Sequence, residues 1–411
     1  MKYAGLPVLG YGIQVKEYDV HEERRYGASP ARRTRERHWR TGPLMVVGVV
    51  GMVALAVGST GCATILGQHK IAASHASSAA QGSGTAEGGT GSAGNLASAA
   101  GTNSKAQSRT GGTLAGVGNG VMFGGDVPLV SEESALGRNL AIVRVYDLLG
   151  QSFVNRTMDS FMAHGTTILA SLDVYPGMPT YASIAAGQHD ATIASYLESM
   201  NSSAIHYKLP AIYFTFEHEA NTPGHHTGLG TPAQFIQAWD HVHQIAVDHH
   251  LLWNQGGRIH FVLILTHFFY NNGKAIQYWP GTNEVDIVAA DGYNTGGCRI
   301  ARKQHRPFTY GVTPVESPAS LFSGVVHFAA AHGGLPVFIA EWGSVPWANP
   351  SVRVNWIQSM QSFVAANPAI QATLYWDSRV LQCNYILNGS ATSLSALASM
   401  GHSALMQGKP A

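Results

Sequence analysis

Charge is what this chain has least of. Lys, Arg, Asp and Glu together make up 12% of its 411 residues, and 25 basic against 24 acidic side chains leave a formal charge of +1. Gripping nucleic acid takes a clustered excess of cations to neutralise phosphates, so the balance excludes that partner and suits a neutral polymer better. A glycine-rich phosphate turn after the first apolar run is missing too, which argues against an open doubly wound nucleotide-binding sheet. Cysteine is scarce, at 3 residues.

The basic charge that exists is concentrated. Arg24, Arg25, Arg32, Arg33, Arg35, Arg37 and Arg40 precede an uninterrupted uncharged stretch, residues 44–67. That stretch is long enough to span a bilayer as a helix, and arginines on its amino side predict a cytoplasmic segment 1–43 with the remainder exported. Two alternatives stay open: a cleaved signal peptide with its core at residues 44–57, and lipidation at Cys62 in Ser59-Thr-Gly-Cys62. All three export the C-terminal part. Residues 68–113 are mainly Ser, Gly and Ala, too poor in apolar side chains to offset the entropy of ordering, and read as a flexible tether reaching about 35 Å.

From residue 114 on, apolar runs of strand length alternate with longer segments of helical period, the pattern of repeated βα units. The runs fall near residues 117–123, 141–146, 167–173, 211–216, 259–265, 285–290, 337–340 and 372–376. Between them residues 231–250 read as a helix, with Thr231 as N-cap, Pro232 at its first position and Phe235, Trp239 and Val242 on one face. Residues 352–367 read likewise. Eight such units predict one (β/α)8 TIM barrel over residues 114–402, followed by a tail at 403–411 and expected to act as a monomer. Cys298 follows the sixth run and Cys383 the eighth, so both sit in loops on one barrel face; a disulfide there, rather than two thiols, fits export.

Two of these runs end in glutamate, residues 214–221 (FTFEHEAN) and 337–343 (VFIAEWG). Carboxyl groups at the carboxyl ends of barrel strands sit where such folds keep their chemistry, and a pair at strands four and seven, Glu219 and Glu341, suits glycoside hydrolysis with retention. One carboxylic acid protonates the leaving oxygen while the other carboxylate attacks the anomeric carbon. Glu217 lies two residues from Glu219 and is the competing acid; if it is not the acid, it is a buried residue paired with a cation such as Arg144. A zinc reading of His218-Glu219 fails, because the second histidine of a helical His-Glu-x-x-His is replaced by Thr222 and Pro223 follows. His225 and His226 read as solvated loop residues.

His218-Glu219-Ala220-Asn221 resembles the His-Glu-Met-Asn signature of glycoside hydrolase family 26. Residues 279–294 (WPGTNEVDIVAADGYN) are similar to the family's Tyr-Pro-Gly-Asp segment leading to Asp-Gly-Tyr-Asn, residues 238–242 (AWDHV) to its helix after strand four, and residues 339–343 (IAEWG) to its nucleophile strand. The resemblance implies that Glu219 is the general acid and base, that Glu341 is the nucleophile, and that His218 bonds sugar in the −1 subsite. It also implies that Tyr293 donates to Glu341, with Asn221 and Asp291 at motif positions. Among rim aromatics Tyr146, Tyr175, Trp279, Trp342, Trp347 and Trp376, the last is the expected platform under the −1 sugar, with Trp342 beside it as a further substrate contact. A tryptophan-rich run that follows the signature in mannanases of the family is absent from residues 222–230, so the polysaccharide class, β-mannan or mixed-linkage β-glucan, stays open. No metal or organic cofactor is implied. The alternative is a carbohydrate-binding barrel without turnover.

Overall fold

The computed structural model describes residues 120–153, 156–175, 177–222, 228–380 and 382–410. The expected N-terminal segment, anchor and tether lie outside these residues, as do Cys62, His225 and His226. Among the described residues no helix is long and apolar enough to cross a membrane.

Eight strands run parallel in sequence order: β1 (Met122–Asp126), β2 (Ile142–Leu148), β3 (Thr167–Asp173), β4 (Ile212–Phe216), β5 (Ile259–Thr266), β6 (Ile287–Asn294), β7 (Val337–Ser344) and β8 (Ile370–Tyr375). β8 pairs back with β1, closing a barrel, and each strand is followed by at least one helix. This is the expected (β/α)8 fold. A two-stranded hairpin, β9 (Arg379–Val380) and β10 (Cys383–Asn384), rises from the loop after β8.

Each strand overlaps its expected run, but β6 and β7 extend four residues beyond theirs, and β1 shares only Met122 and Phe123 with its own. It extends to Asp126 because Gly124 and Gly125 are strand interior and not a turn; a Cβ on Gly124 would lie 2.1 Å from the Ile142 carbonyl oxygen. The glycine is there so that β1 and β2 can approach. The expected tail also belongs to the barrel: Val121 N–H donates to the Leu405 carbonyl and Gly408 N–H to that of Val121, while Met406 is fully buried.

Alternation along each strand divides the apolar residues. Met122, Ile142, Leu169, Tyr213, Val262 and Phe338 fill the barrel, whereas Phe123, Val143, Phe214, Phe261 and Val288 pack under the helices. The helix Pro232–Asp248 starts with a capping box, Thr231 Oγ1 accepting from Gln234 N–H and Gln234 Oε1 from Thr231 N–H, and buries Phe235, Trp239 and Val242. The helix Pro350–Ala366 begins two residues before its expected start because Asn349 caps it through Ser351 N–H.

Toward the carboxyl ends of the strands the inner face turns polar. Arg144, Ser171, Asp173, Thr215 and Asp291 are all buried there. In β7 the pairing with β6 passes from Ile339 to Glu341 and skips Ala340, a β-bulge that shifts the strand by one residue. Strict alternation from Phe338 would aim Glu341 outward; the bulge aligns it with Asp291 on β6.

Candidate active site

The chain leaves β4 through two left-handed residues, Glu217 (φ 58°) and Glu219 (φ 50°), with His218 between them. Non-glycine residues adopt this conformation at a cost of about 1 kcal/mol or more each, and it persists where surrounding bonds fix it. Here Glu219 N–H donates to the Ile264 carbonyl, and the Asn221 amide clasps Thr266, its Nδ2 donating to Oγ1 at 2.6 Å and its Oδ1 accepting from Thr266 N–H. Both ends of that amide are used, so Asn221 fixes the Glu219 turn against β5. Glu219 itself is half-buried, and its Oε2 accepts from Thr222 Oγ1 at 3.0 Å.

Glu217 turns the other way. It is 1% exposed, accepts from Val174 N–H at 3.0 Å, and is pushed well above the usual carboxylate range by burial and by the Asp173 charge. Its expected cation, Arg144, stands elsewhere. Alternation on β2 carries Arg144 and Tyr146 up the inner wall to Glu341, with Arg144 Nε 3.9 Å from Glu341 Oε1.

Three groups thus converge on Glu341, since the hydroxyls of Tyr146 and Tyr293 donate to its two oxygens. Burial pushes the Glu341 carboxyl up, the charges of His218 and Arg144 and the Tyr146 bond oppose this, and the Glu219 charge adds to it. Asn221, two residues past Glu219, is tied to Thr266 of β5; Thr266 pairs with Asp291 and Asp291 with Glu341, so both carboxyls stand at the carboxyl end of β4–β7. Asp291, beside Glu341 in register, is 1% exposed, and neither of its oxygens has a hydrogen-bond partner among the described residues. Burial, then the charges of Glu341 and Glu219, push its carboxyl well above the usual range.

His218 is bound to Asp173 twice, Nδ1 to Oδ2 at 2.8 Å and backbone N–H to Oδ1 at 3.1 Å. Burial disfavours the imidazolium, but the Asp173 charge and bond prevail and lift His218 to about 9, so the pair is ionic at neutral pH. The Tyr146 ring meets His218 edge-on at 5.2 Å, Trp376 at 5.6 Å and the Arg144 guanidinium at 4.5 Å, which makes it the hub of the cleft floor. Trp376 is half-buried there. Tyr293 stacks on Tyr385 at 4.6 Å, in a small cluster with Val345 and the disulfide Cys298–Cys383, whose Cα atoms are 5.4 Å apart.

One expected substrate contact is misplaced. Trp342 is fully buried, edge-on to Tyr375 at 5.0 Å and tilted against Trp356, because the bulge that brings Glu341 inward sends its successor out under the helices. Trp279 packs against Phe328 and His332, and Trp347 covers Gly311, so both are packing residues. Three site groups escaped the sequence reading in their actual roles: Arg144 and Tyr146 beside Glu341, and Asp173 under His218. Period two along β2, and an aspartate closing the apolar run of β3, were the available signals.

Fold and site together define a (β/α)8 barrel with a buried carboxyl held by two tyrosines and an arginine, and a half-buried carboxyl at the same carboxyl end of the strands. Among solved structures it is similar to a GH26 β-mannanase from Bacteroides ovatus, at 13% identity and TM-score 0.51, over 70% of this chain and 90% of that one. It is also similar to GH26C from a Muricauda species, at 12% identity and TM-score 0.50, over 70% and 86%. At such identities the likeness is one of fold. No family model matches the chain, and no curated protein matches it.

Proposed function

We propose that the chain is a retaining endo-β-glycosidase acting on a β-linked polysaccharide of β-mannan or mixed-linkage β-glucan type. The observation that carries this reading is the convergence of Tyr146, Tyr293 and Arg144 on Glu341, with Glu219 at the same carboxyl end of the barrel. Glu341 attacks the anomeric carbon while Glu219 gives its proton to the leaving oxygen, forming a glycosyl-enzyme ester. Water, losing a proton to Glu219, then displaces Glu341 with a second inversion. His218, held as a cation by Asp173, bonds the −1 sugar over Trp376. The order of motifs along residues 114–402 and the likeness of fold support the same assignment, and the reaction requires no metal or organic cofactor. The barrel acts as an exported monomer, tethered through residues 44–67 or released, in keeping with a disulfide and a polymeric substrate.

A 2-deoxy-2-fluoro β-glycoside with an activated leaving group tests the mechanism. The expected result is a single sugar adduct on the peptide holding Glu341, absent from Glu341→Gln, with retained anomeric configuration in the product. An adduct on another carboxyl, or an inverted product, refutes it. The aromatic-free sequence at residues 222–230 favours one second reading, a carbohydrate-binding barrel without turnover, which binding to mannans or β-glucans without new reducing ends would support.

A further inference from the structure

The near-zero charge of the whole chain conceals an uneven rim. Residues 120–410 carry 13 Lys and Arg against 18 Asp and Glu, so the barrel as a whole is acidic. Two of its loops are the reverse. Residues 298–315, after β6, contain Arg299, Arg302, Lys303 and Arg306, and residues 378–390, after β8, contain Arg379; neither segment has an Asp or Glu. Five of the 13 cations therefore lie on two loops at the carboxyl end of the barrel, the end that holds Glu219 and Glu341.

These loops form one surface. The Cys298–Cys383 disulfide joins them, and Gln382, with its amide oriented to satisfy both groups, accepts from Arg302 N–H and donates to the Arg306 carbonyl. Arg299, Arg306 and Arg379 are exposed, and among the described residues none of the three forms an ion pair. The neighbouring carboxylate, Glu316, is engaged instead by the N–H and hydroxyl of Thr295. Exposed Tyr310, 52% accessible, supplies an aromatic face on the same loop. The patch adjoins the site: Arg299 follows Cys298, which packs in one cluster with Tyr385 and Tyr293, and Tyr293 donates to Glu341.

Solvated arginines cost little, but like charges gathered on two cross-linked loops repel one another. A ligand that neutralises them removes that repulsion, and guanidinium groups bind carboxylate, sulfate and phosphate oxygens through paired hydrogen bonds. We propose that the polysaccharide cut here is anionic, its acidic substituents held on the β6–β8 rim by Arg299, Arg306 and Arg379 beside Tyr310. This rests on the glycosidase reading and replaces its neutral backbone with one that carries acidic substituents.

Affinity gels containing a neutral β-glucan or β-mannan, its carboxymethylated form or its sulfated form test the inference without relying on turnover. The protein should be retarded about tenfold more strongly by an acidic polymer than by its neutral parent at about 20 mM salt, with most of the difference gone at about 0.3 M. Arg299→Glu combined with Arg306→Glu should abolish the preference, with circular dichroism confirming a folded barrel. The carboxymethyl and sulfate arms decide which anion is favoured. Equal retardation by neutral and acidic polymers, an unchanged preference in the double variant, or equal binding to polyglutamate would each overturn the proposal. Reducing-end release on the same panel is a separate readout: acid-selective binding without cleavage supports the rim assignment and removes the hydrolase reading.

Discussion

Glu341 has to be ionised to attack, yet it is buried, and burial alone would keep its proton on. Two hydroxyls and a guanidinium replace the water it has lost. Tyr146→Phe removes one donor to the charged form, so the Glu341 pKa should move further up and the acid limb of the kcat/KM profile with it. The rate at the optimum should fall about 100-fold, as when one preorganised donor to a reacting oxygen is deleted. An unmoved acid limb would mean that the hydroxyl supports packing only. His218 offers a second test at this scale. Its pKa is raised from 6.5 to about 9 in the folded protein, so the stability it contributes is fully present below about pH 6.5 and lost as pH rises through 9. The unfolding free energy should therefore decline across that window, by an amount on the order of 3 kcal/mol, and Asp173→Asn should flatten the decline.

At the level of elements, what was legible in the sequence and what was not follow from how each feature is encoded. Buried parallel strands are continuous apolar runs, so all eight could be counted, and the helix at Pro232–Asp248 announced itself through its capping residues. Glu219 and Glu341 were legible because each closes such a run. Features that depend on a neighbouring strand were not. The bulge at Ala340 leaves no local signature, so Trp342 read as a cleft residue; the bond of Tyr146 to Glu341 joins residues 195 apart across the barrel. The expected first run stopped at residue 123, short of Gly124-Gly125, because glycine is a poor strand former, whereas here the constraint comes from the backbone of β2. Gly124→Ala should accordingly be severe, since its Cβ would meet backbone and not a movable side chain. A loss of about 3 kcal/mol or more, seen as a reduced unfolding midpoint in urea, is expected, and a wild-type midpoint would show that β1 and β2 can separate at no cost.

Across the whole molecule, the barrel wall and its catalytic rim are stabilised in different ways. The wall rests on two large apolar layers inside and outside the sheet, while the rim above β6 and β8 has only a small cluster of Tyr293, Tyr385, Val345 and the disulfide. Cys298 and Cys383 are 85 residues apart, so their bond restricts a long loop in the unfolded chain, worth about 4 kcal/mol on chain-entropy reasoning. Part of that sum acts locally, because the bond ties the loop that follows Tyr293 to the one that follows Trp376. Reduction should therefore lower the urea midpoint of the barrel, and it should also produce an earlier transition in near-ultraviolet dichroism, where the stacked Tyr293 and Tyr385 report. Activity should follow the earlier transition and far-ultraviolet dichroism the later one. Coincident transitions in oxidised and reduced protein would mean that the rim is held by the barrel itself, and that the disulfide contributes nothing to the placing of Tyr293 against Glu341.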